Sequence, residues 1–226
     1  MAQQLDLQEQ EQVDALKAFW ARYGNLITWA ITLVLAVFAG WNWYQKLQRD
    51  KDSAASTMYG ELQGAADAGD AKRAAQIFGD MQAKAPKTTF TQLGALLVAK
   101  AQADKGDAAG ATANLQWVAD NGNEENAAVA HMRLAGLLAD GKKYDDALKQ
   151  LALVKPASFL PLVSDRRGDI EMAQGQKDAA IKAYKVAYDG LPATAQYRML
   201  VEAKLTALGA APAASAASAA ASGAAQ

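Results

Sequence analysis

No formally charged side chain stands between Arg22 and Lys46, and inside that window the run Leu26 to Phe38 is apolar apart from Thr28 and Thr32. About 20 mostly apolar residues cross a hydrocarbon core of about 30 Å, so the pattern predicts a transmembrane helix over residues 24–45. Trp20 and Tyr23 bracket it on one side and Trp41, Trp43 and Tyr44 on the other, where indole and phenol rings favour the headgroup level. The large apolar side chains of the run favour insertion by about 3 to 4 kcal/mol in sum. A helical threonine satisfies its hydroxyl on its own backbone and subtracts little. A cleaved secretory signal would need a basic leading region and a small-residue cleavage site. Here the leading segment is acidic and bulky rings follow the run, so it reads as an uncleaved anchor. Thr32, Ala36 and Gly40 recur every fourth residue, a stripe of small side chains against which another transmembrane helix could pack.

Ahead of the span, in residues 1–23, Leu16, Phe19, Trp20 and Tyr23 follow helical spacing, while Glu9, Glu11, Asp14 and Lys17 supply polar positions. This predicts an amphipathic lead-in, either a collar in the membrane interface or a docking element for a cytosolic partner. Lys17 and Arg22 flank the span on one side and Lys46, Arg49 and Lys51 on the other. The positive-inside rule therefore leans only slightly, toward a cytoplasmic C-terminus.

Residues 46–208 change character. They are rich in Ala, Leu, Lys, Gln and Glu, with turn signals at Gly69-Asp70, Gly106-Asp107, Gly141-Lys142 and Gly175-Gln176 between apolar-periodic stretches. Each turn is followed by an alanine and then a larger apolar residue: Ala74 and Phe78, Ala111 and Leu115, Ala147 and Leu151, Ala180 and Tyr184. The spacing is close to the roughly 34 residues of a tetratricopeptide helix pair, a little longer for the first two intervals. In the last unit Gly168, Ala180, Tyr184, Ala187 and Pro192 fall on the small, small, aromatic, small and proline positions of that pattern. Small residues there let two helices approach closely, Tyr184 fills the space beside them, and Pro192 ends the pair. The expected fold is all-α: one N-terminal transmembrane helix, then a tetratricopeptide-like α-solenoid of about four helix pairs with a capping helix whose outer face is polar. Between the third and fourth units, Ala157 to Val163 is apolar for a loop and is either tucked into the core or an exposed contact patch. Residues 209–226 form an Ala/Ser tract with no amphipathic face and are expected to be disordered.

The 226 residues leave about 160 for the helical domain, enough for its own core. Net charge is -1 with basic residues dispersed, which gives no sign of a nucleic-acid surface. Without cysteine the chain has no disulfide and no thiol chemistry, and one histidine, His131, cannot build a multi-histidine zinc site. Phosphate-binding glycine loops are absent from the sequence. Asp165 with Asp169, or Asp145 with Asp146, could share a helix face, yet solvated acids near a helix start need no catalytic explanation. No enzymatic activity, cofactor or small-molecule substrate is expected. What remains is binding on the concave face of the repeats. Registering the units places Tyr59, Leu96, Lys100, Met132, Asp165, Asp169 and Met172 in or near that groove. Met132 and Met172 also suit an ordinary core. Trp117 falls on an outer helix, either a convex contact or a wedge against its neighbour, and His131 is expected to pack within its repeat.

The segment Gln12-Val13-Asp14-Ala15-Leu16-Lys17-Ala18-Phe19-Trp20, followed by Gly24-Asn25, the span and Trp41-Asn42-Trp43-Tyr44, resembles the N-terminus of the ancillary SecYEG translocon subunit family, the YfgM family. Asp165-Arg166-Arg167-Gly168-Asp169-Ile170-Glu171, with Gly175-Gln176-Lys177 and Ala180, is similar to that family's last repeat. The resemblance implies a single-pass protein of the bacterial inner membrane with its N-terminus cytoplasmic and its repeat domain periplasmic, against the slight lean of the charge count. It also implies association with the Sec translocon and with a membrane-anchored periplasmic chaperone of the peptidyl-prolyl isomerase class, passing secreted chains to periplasmic chaperones. Two other classes share these features: an envelope-assembly scaffold, and a membrane-bound regulator of a cytosolic response protein.

Overall fold

The computed structural model describes residues 2–212, with side chains from Gln10 onward; the part of the expected tail beyond residue 212 lies outside the described residues. The chain divides into two compact units, Met1–Lys51 and Asp52–Gln226, and the first helix, α1 (Ala2–Asp67), contributes to both.

In the first unit α1 turns apolar side chains outward on every side. Leu26 and Trp29 are each 69% exposed, and Ile31, Leu33, Val34, Leu35, Val37 and Phe38 are similarly bare. A helix that buries almost none of this surface against its own chain is long and apolar enough to cross a membrane. Thr28 donates its hydroxyl to the Gly24 carbonyl and Thr32 to the Thr28 carbonyl, both at 2.8 Å, so neither presents an unsatisfied hydroxyl to lipid. Tyr23 and Trp41 are separated along the axis by about 27 Å at the α-helical rise, close to the hydrocarbon-core thickness of about 30 Å. Trp20 lies across Gly24, where an added Cβ would stand 3.1 Å from the indole nitrogen. The chain thus meets the expectation of a long apolar N-terminal helix.

The second unit is helical throughout. After the C-terminal part of α1 come α2 (Ala71–Lys84), α3 (Thr89–Asp104), α4 (Ala108–Asn121), α5 (Glu124–Asp140), α6 (Tyr144–Ala152), α7 (Leu160–Ala173), α8 (Lys177–Gly190) and α9 (Gln196–Ala207). Short polar side chains start several of them. Asp70, Thr88, Asp107 and Asn123 each accept a hydrogen bond from the backbone N–H three residues on, satisfying a donor the helix leaves free. The turns close with Gly69, Gly106 and Gly175 at positive φ, and in the third turn, which has the same three residues as the others, Lys142 takes that conformation at φ 60°.

From α2 onward each helix packs against the next, and α3 also touches α5 and α5 touches α7. The odd-numbered helices therefore form one layer and the even-numbered helices the other. The core runs along the stack in three clusters, from Leu62, Phe78, Met81 and Leu96, through Ala135, Leu151 and Ile170, to Tyr184, Val201 and Leu205. Each repeat thus buries its apolar stripe mainly against its neighbours. Trp117 is wedged rather than presented, its ring edge-on to Phe78 at 5.8 Å. His131 contacts Gln150 of α6 through Nδ1 at 2.8 Å, a link within its repeat.

Two expectations need correction. Ala157 to Val163 is not a loop but a single 3-10 turn, Ala157–Phe159, running into α7, whose first turn holds Pro161. Pro lacks only an N–H that a first turn leaves unpaired anyway. Val163 packs into the core and Leu160 stays exposed. The capping helix is also not polar outside: Met199 is 66% and Leu200 50% exposed, because α9 turns Val201, Lys204 and Leu205 inward.

Gly168 sits where a Cβ would come within 2.5 Å of the Tyr184 ring. Gly168→Leu is expected to lower stability by about 1–3 kcal/mol through overpacking. Lys142→Gly should raise it by about 1 kcal/mol by relieving a left-handed conformation. Thermal unfolding of the detergent-solubilised chain measures both.

Candidate functional site

Along the inner layer, helices α3, α5, α7 and α9 line an open cleft of about 620 Å³. Ala99, Lys100 and Ala103 come from α3, Val129, Met132, Arg133, Gly136, Leu137 and Asp140 from α5, Leu162 and Arg166 from α7, and Tyr197 from α9, with Leu115 reaching in from α4. These residues repeat with an interval of 33: Lys100, Arg133 and Arg166 are equivalent, as are Ala99 and Met132, Ala103 and Gly136, Val129 and Leu162. Each of three consecutive inner helices therefore supplies one basic residue to the lining at the same register. Gly136 faces empty space, since an added Cβ would meet nothing within 4 Å.

The basic side chains are held differently. Arg133 donates Nη1–H to the Leu96 carbonyl at 2.8 Å, and its burial pulls its pKa below the ordinary guanidinium value without discharging it. Lys100 lies 2.6 Å from Asp104, a neighbour one turn on, and both are exposed. Arg166 reaches only to 4.0 Å of Asp169.

Behind the cleft wall lies a polar cluster that joins α7 to α9. Asp165 is fully buried; it accepts from the Tyr197 hydroxyl at 2.5 Å and from Lys204 at 2.8 and 3.0 Å. Lys204 also donates to Asp169 at 2.7 Å, and Asp169 accepts from the Tyr184 hydroxyl at 2.8 Å. Burial, then the bond to Asp169, pushes the Tyr184 phenol far above its usual range. Burial and the bond to Asp165 do the same to Tyr197. Two carboxylates thus share one ammonium and two hydroxyls.

Of the residues registered to the groove from sequence, the structure brings Lys100 and Met132 to the cleft. Leu96 is buried beneath it, and Tyr59 packs its ring 6.0 Å from Phe90. Asp165 and Asp169 belong to the α7–α9 cluster, and Met172 is exposed away from the cleft lining. Arg133, Gly136, Arg166 and Tyr197 were missed. The first three could have been found from the interval of 33, which counting from the turns obscures because the positive-φ turn residues Gly106 and Lys142 stand 36 apart. Tyr197 carries no sequence signal, since its place depends on how α9 folds back. Thr32, Ala36 and Gly40 lie together along α1 in the first unit, with open space at Gly40, and Trp20, Tyr23, Trp41, Trp43 and Tyr44 are exposed there.

The tetratricopeptide repeat-like domain family matches residues 17–210. The ancillary SecYEG translocon subunit of Escherichia coli is 32% identical over 180 residues, covering 78% of this chain and 85% of the relative. The chain belongs to the ancillary SecYEG translocon subunit family. The member from Neisseria gonorrhoeae is 27% identical over 89% of this chain and 98% of its own length, and that from Haemophilus influenzae 29% over 80% and 89%. The matched residues 17–210 take in both the apolar helix and the repeats that line the cleft.

Removing the shared cation exposes the cost of the α7–α9 cluster. Lys204→Met leaves Asp165 buried without its counter-ion and is expected to cost about 3–5 kcal/mol, read as a lower urea midpoint. The phenols of Tyr184 and Tyr197 have raised folded pKa values, so their contribution is complete below the unfolded value near 10 and is lost as pH rises above it. Unfolding across that alkaline range should show the decline, and Tyr197→Phe should flatten it.

Proposed function

We propose that this chain is a non-enzymatic, membrane-tethered binding protein that associates with the Sec translocon and uses its inner cleft to hold polypeptide, helping secreted chains pass to periplasmic chaperones. The observation that carries the reading is the cleft across α3, α5, α7 and α9 in a chain whose relatives are named as ancillary translocon subunits. The two carboxylates behind the cleft wall, Asp165 and Asp169, are already bonded to Lys204.

The apolar helix would hold the protein in the inner membrane, with lipid around its outward face and the stripe Thr32, Ala36 and Gly40 available to a neighbouring span. The N-terminus would be cytoplasmic and the repeat domain periplasmic. A difference of one basic residue is too small to oppose that orientation. A membrane-anchored periplasmic chaperone of the peptidyl-prolyl isomerase class is the proposed companion. Tethering raises the effective concentration of two partners on one membrane into the millimolar range for short linkers, so a weak cleft suffices. The groove set proposed for this role is Lys100 and Met132 with Arg133, Gly136 and Arg166; Tyr59, Leu96, Asp165, Asp169 and Met172 support it from behind or beside.

A photocrosslinker in place of Met132, in the full membrane-inserted chain, is expected to capture secreted chains in transit and the chaperone. Gly136→Trp fills open space in the cleft while replacing a poor helix former. It should leave the fold intact and reduce those crosslinks about tenfold, the loss that goes with removing about 1.4 kcal/mol of binding. Crosslinks unchanged in Gly136→Trp, or arising equally from Lys182 on the outer helix α8, would refute the cleft as the binding face.

A further inference from the structure

The cleft has a charge as well as a shape. Each of three successive inner helices places one basic residue in its lining, Lys100, Arg133 and Arg166, against a single acidic one, Asp140, although the whole chain carries a net charge of -1. The excess is local, and it recurs at one register position along the stack. We propose that the polypeptide taken up by the cleft is an acidic stretch, its carboxylates on the strip Lys100, Arg133 and Arg166 and an apolar side chain seated on Val129, Leu137 and Leu162. This rests on the reading of the cleft as a polypeptide site and names the chemistry of its occupant.

Three observations carry it. Arg133 is partly desolvated, and one of its five N–H donors is used on the Leu96 carbonyl; that bond fixes the guanidinium, and a fixed fork suits a carboxylate better than a mobile one. Lys100 with Asp104 and Arg166 with Asp169 are pairs more than half exposed on the basic side, the kind that exchanges readily with a competing carboxylate. Asp169 in particular is already bonded to Lys204 and Tyr184, so Arg166 holds only its far oxygen, at 4.0 Å. Finally, Ala99, Ala103 and Gly136 leave room for a main chain to approach between the charged and apolar rows. A lipid needs no such room, and it is treated as the competing occupant.

The test uses the full chain in phosphatidylcholine nanodiscs and three fluorescein-labelled peptides that share a Leu-Phe centre flanked by glutamates, glutamines or lysines. The glutamate peptide is expected to bind about tenfold more tightly than the glutamine one, with the lysine peptide weakest and the difference shrinking as salt rises. Arg133→Gln and Arg166→Gln should each weaken the glutamate peptide about five- to tenfold and leave the glutamine peptide unchanged, while Asp140→Asn tightens the former. Arg133→Lys should restore part of the loss. If a variant fails to fold, the peptide series on the unaltered chain still decides. Equal binding of all three peptides would overturn the charge assignment and leave a peptide cleft standing. Binding of none would remove the polypeptide reading as well. Binding to phosphatidylglycerol vesicles through Arg133, with no peptide bound, would reassign the strip to lipid.

Discussion

Four alanines, Ala74, Ala111, Ala147 and Ala180, one in each outer helix, have no solvent exposure at all. Helices can come this close only where the side chain at the crossing is a single methyl group, and every other feature of the repeat domain depends on that approach. With the crossings closed, the larger neighbours four residues on, Phe78, Leu115, Leu151 and Tyr184, fill the space between pairs. Gly168 extends the same logic to the inner layer, lying so close to Tyr184 that no side chain fits. Packing of this kind sets how far apart α3, α5 and α7 stand, and that separation is the cleft.

A stack of repeats must also end. Here α9 takes the place of a further inner helix, and Val201 and Leu205 supply the apolar half of its attachment. The other half is ionic, with Lys204 gathered between Asp165 and Asp169 and two tyrosine hydroxyls completing the shell. Buried ion pairs contribute little net stability compared with apolar packing, but removing one partner is costly, so such a cluster admits a single seating of the helix. The seating matters for the site because Tyr197, held by Asp165, forms part of the cleft lining.

The membrane helix obeys the opposite rule. Its large side chains face outward on all sides, and the two hydroxyls of its apolar run, Thr28 and Thr32, bond back to their own helix. Apolar surface of that extent is stable only out of water, so the same alphabet of Leu, Val and Ala builds an anchor in one part of the chain and a packed core in the other. What differs is the periodicity with which polar residues interrupt it.

That periodicity is why the architecture was legible from residues alone. The charge-free window, the flanking rings, the spaced glycine turns and the alanine at each crossing are local signals, because backbone geometry and solvent dictate them residue by residue, and they specified an all-helical chain with an anchor, four helix pairs and a terminal helix. The cleft was legible only in part. Lys100 and Met132 followed from repeat register, while Arg133 and Arg166 lay one position off, since the positive-φ turn residues Gly106 and Lys142 stand 36 apart whereas the inner-helix positions repeat every 33. Asp165 and Asp169 read as open groove acids until α9 folded across them and delivered Lys204 and Tyr197 from more than thirty residues away. Sequence alone determined which faces of each helix are apolar, because that depends on a period of 3.6. Which polar groups meet depends on contacts remote along the chain, and only the packed tertiary structure could decide them.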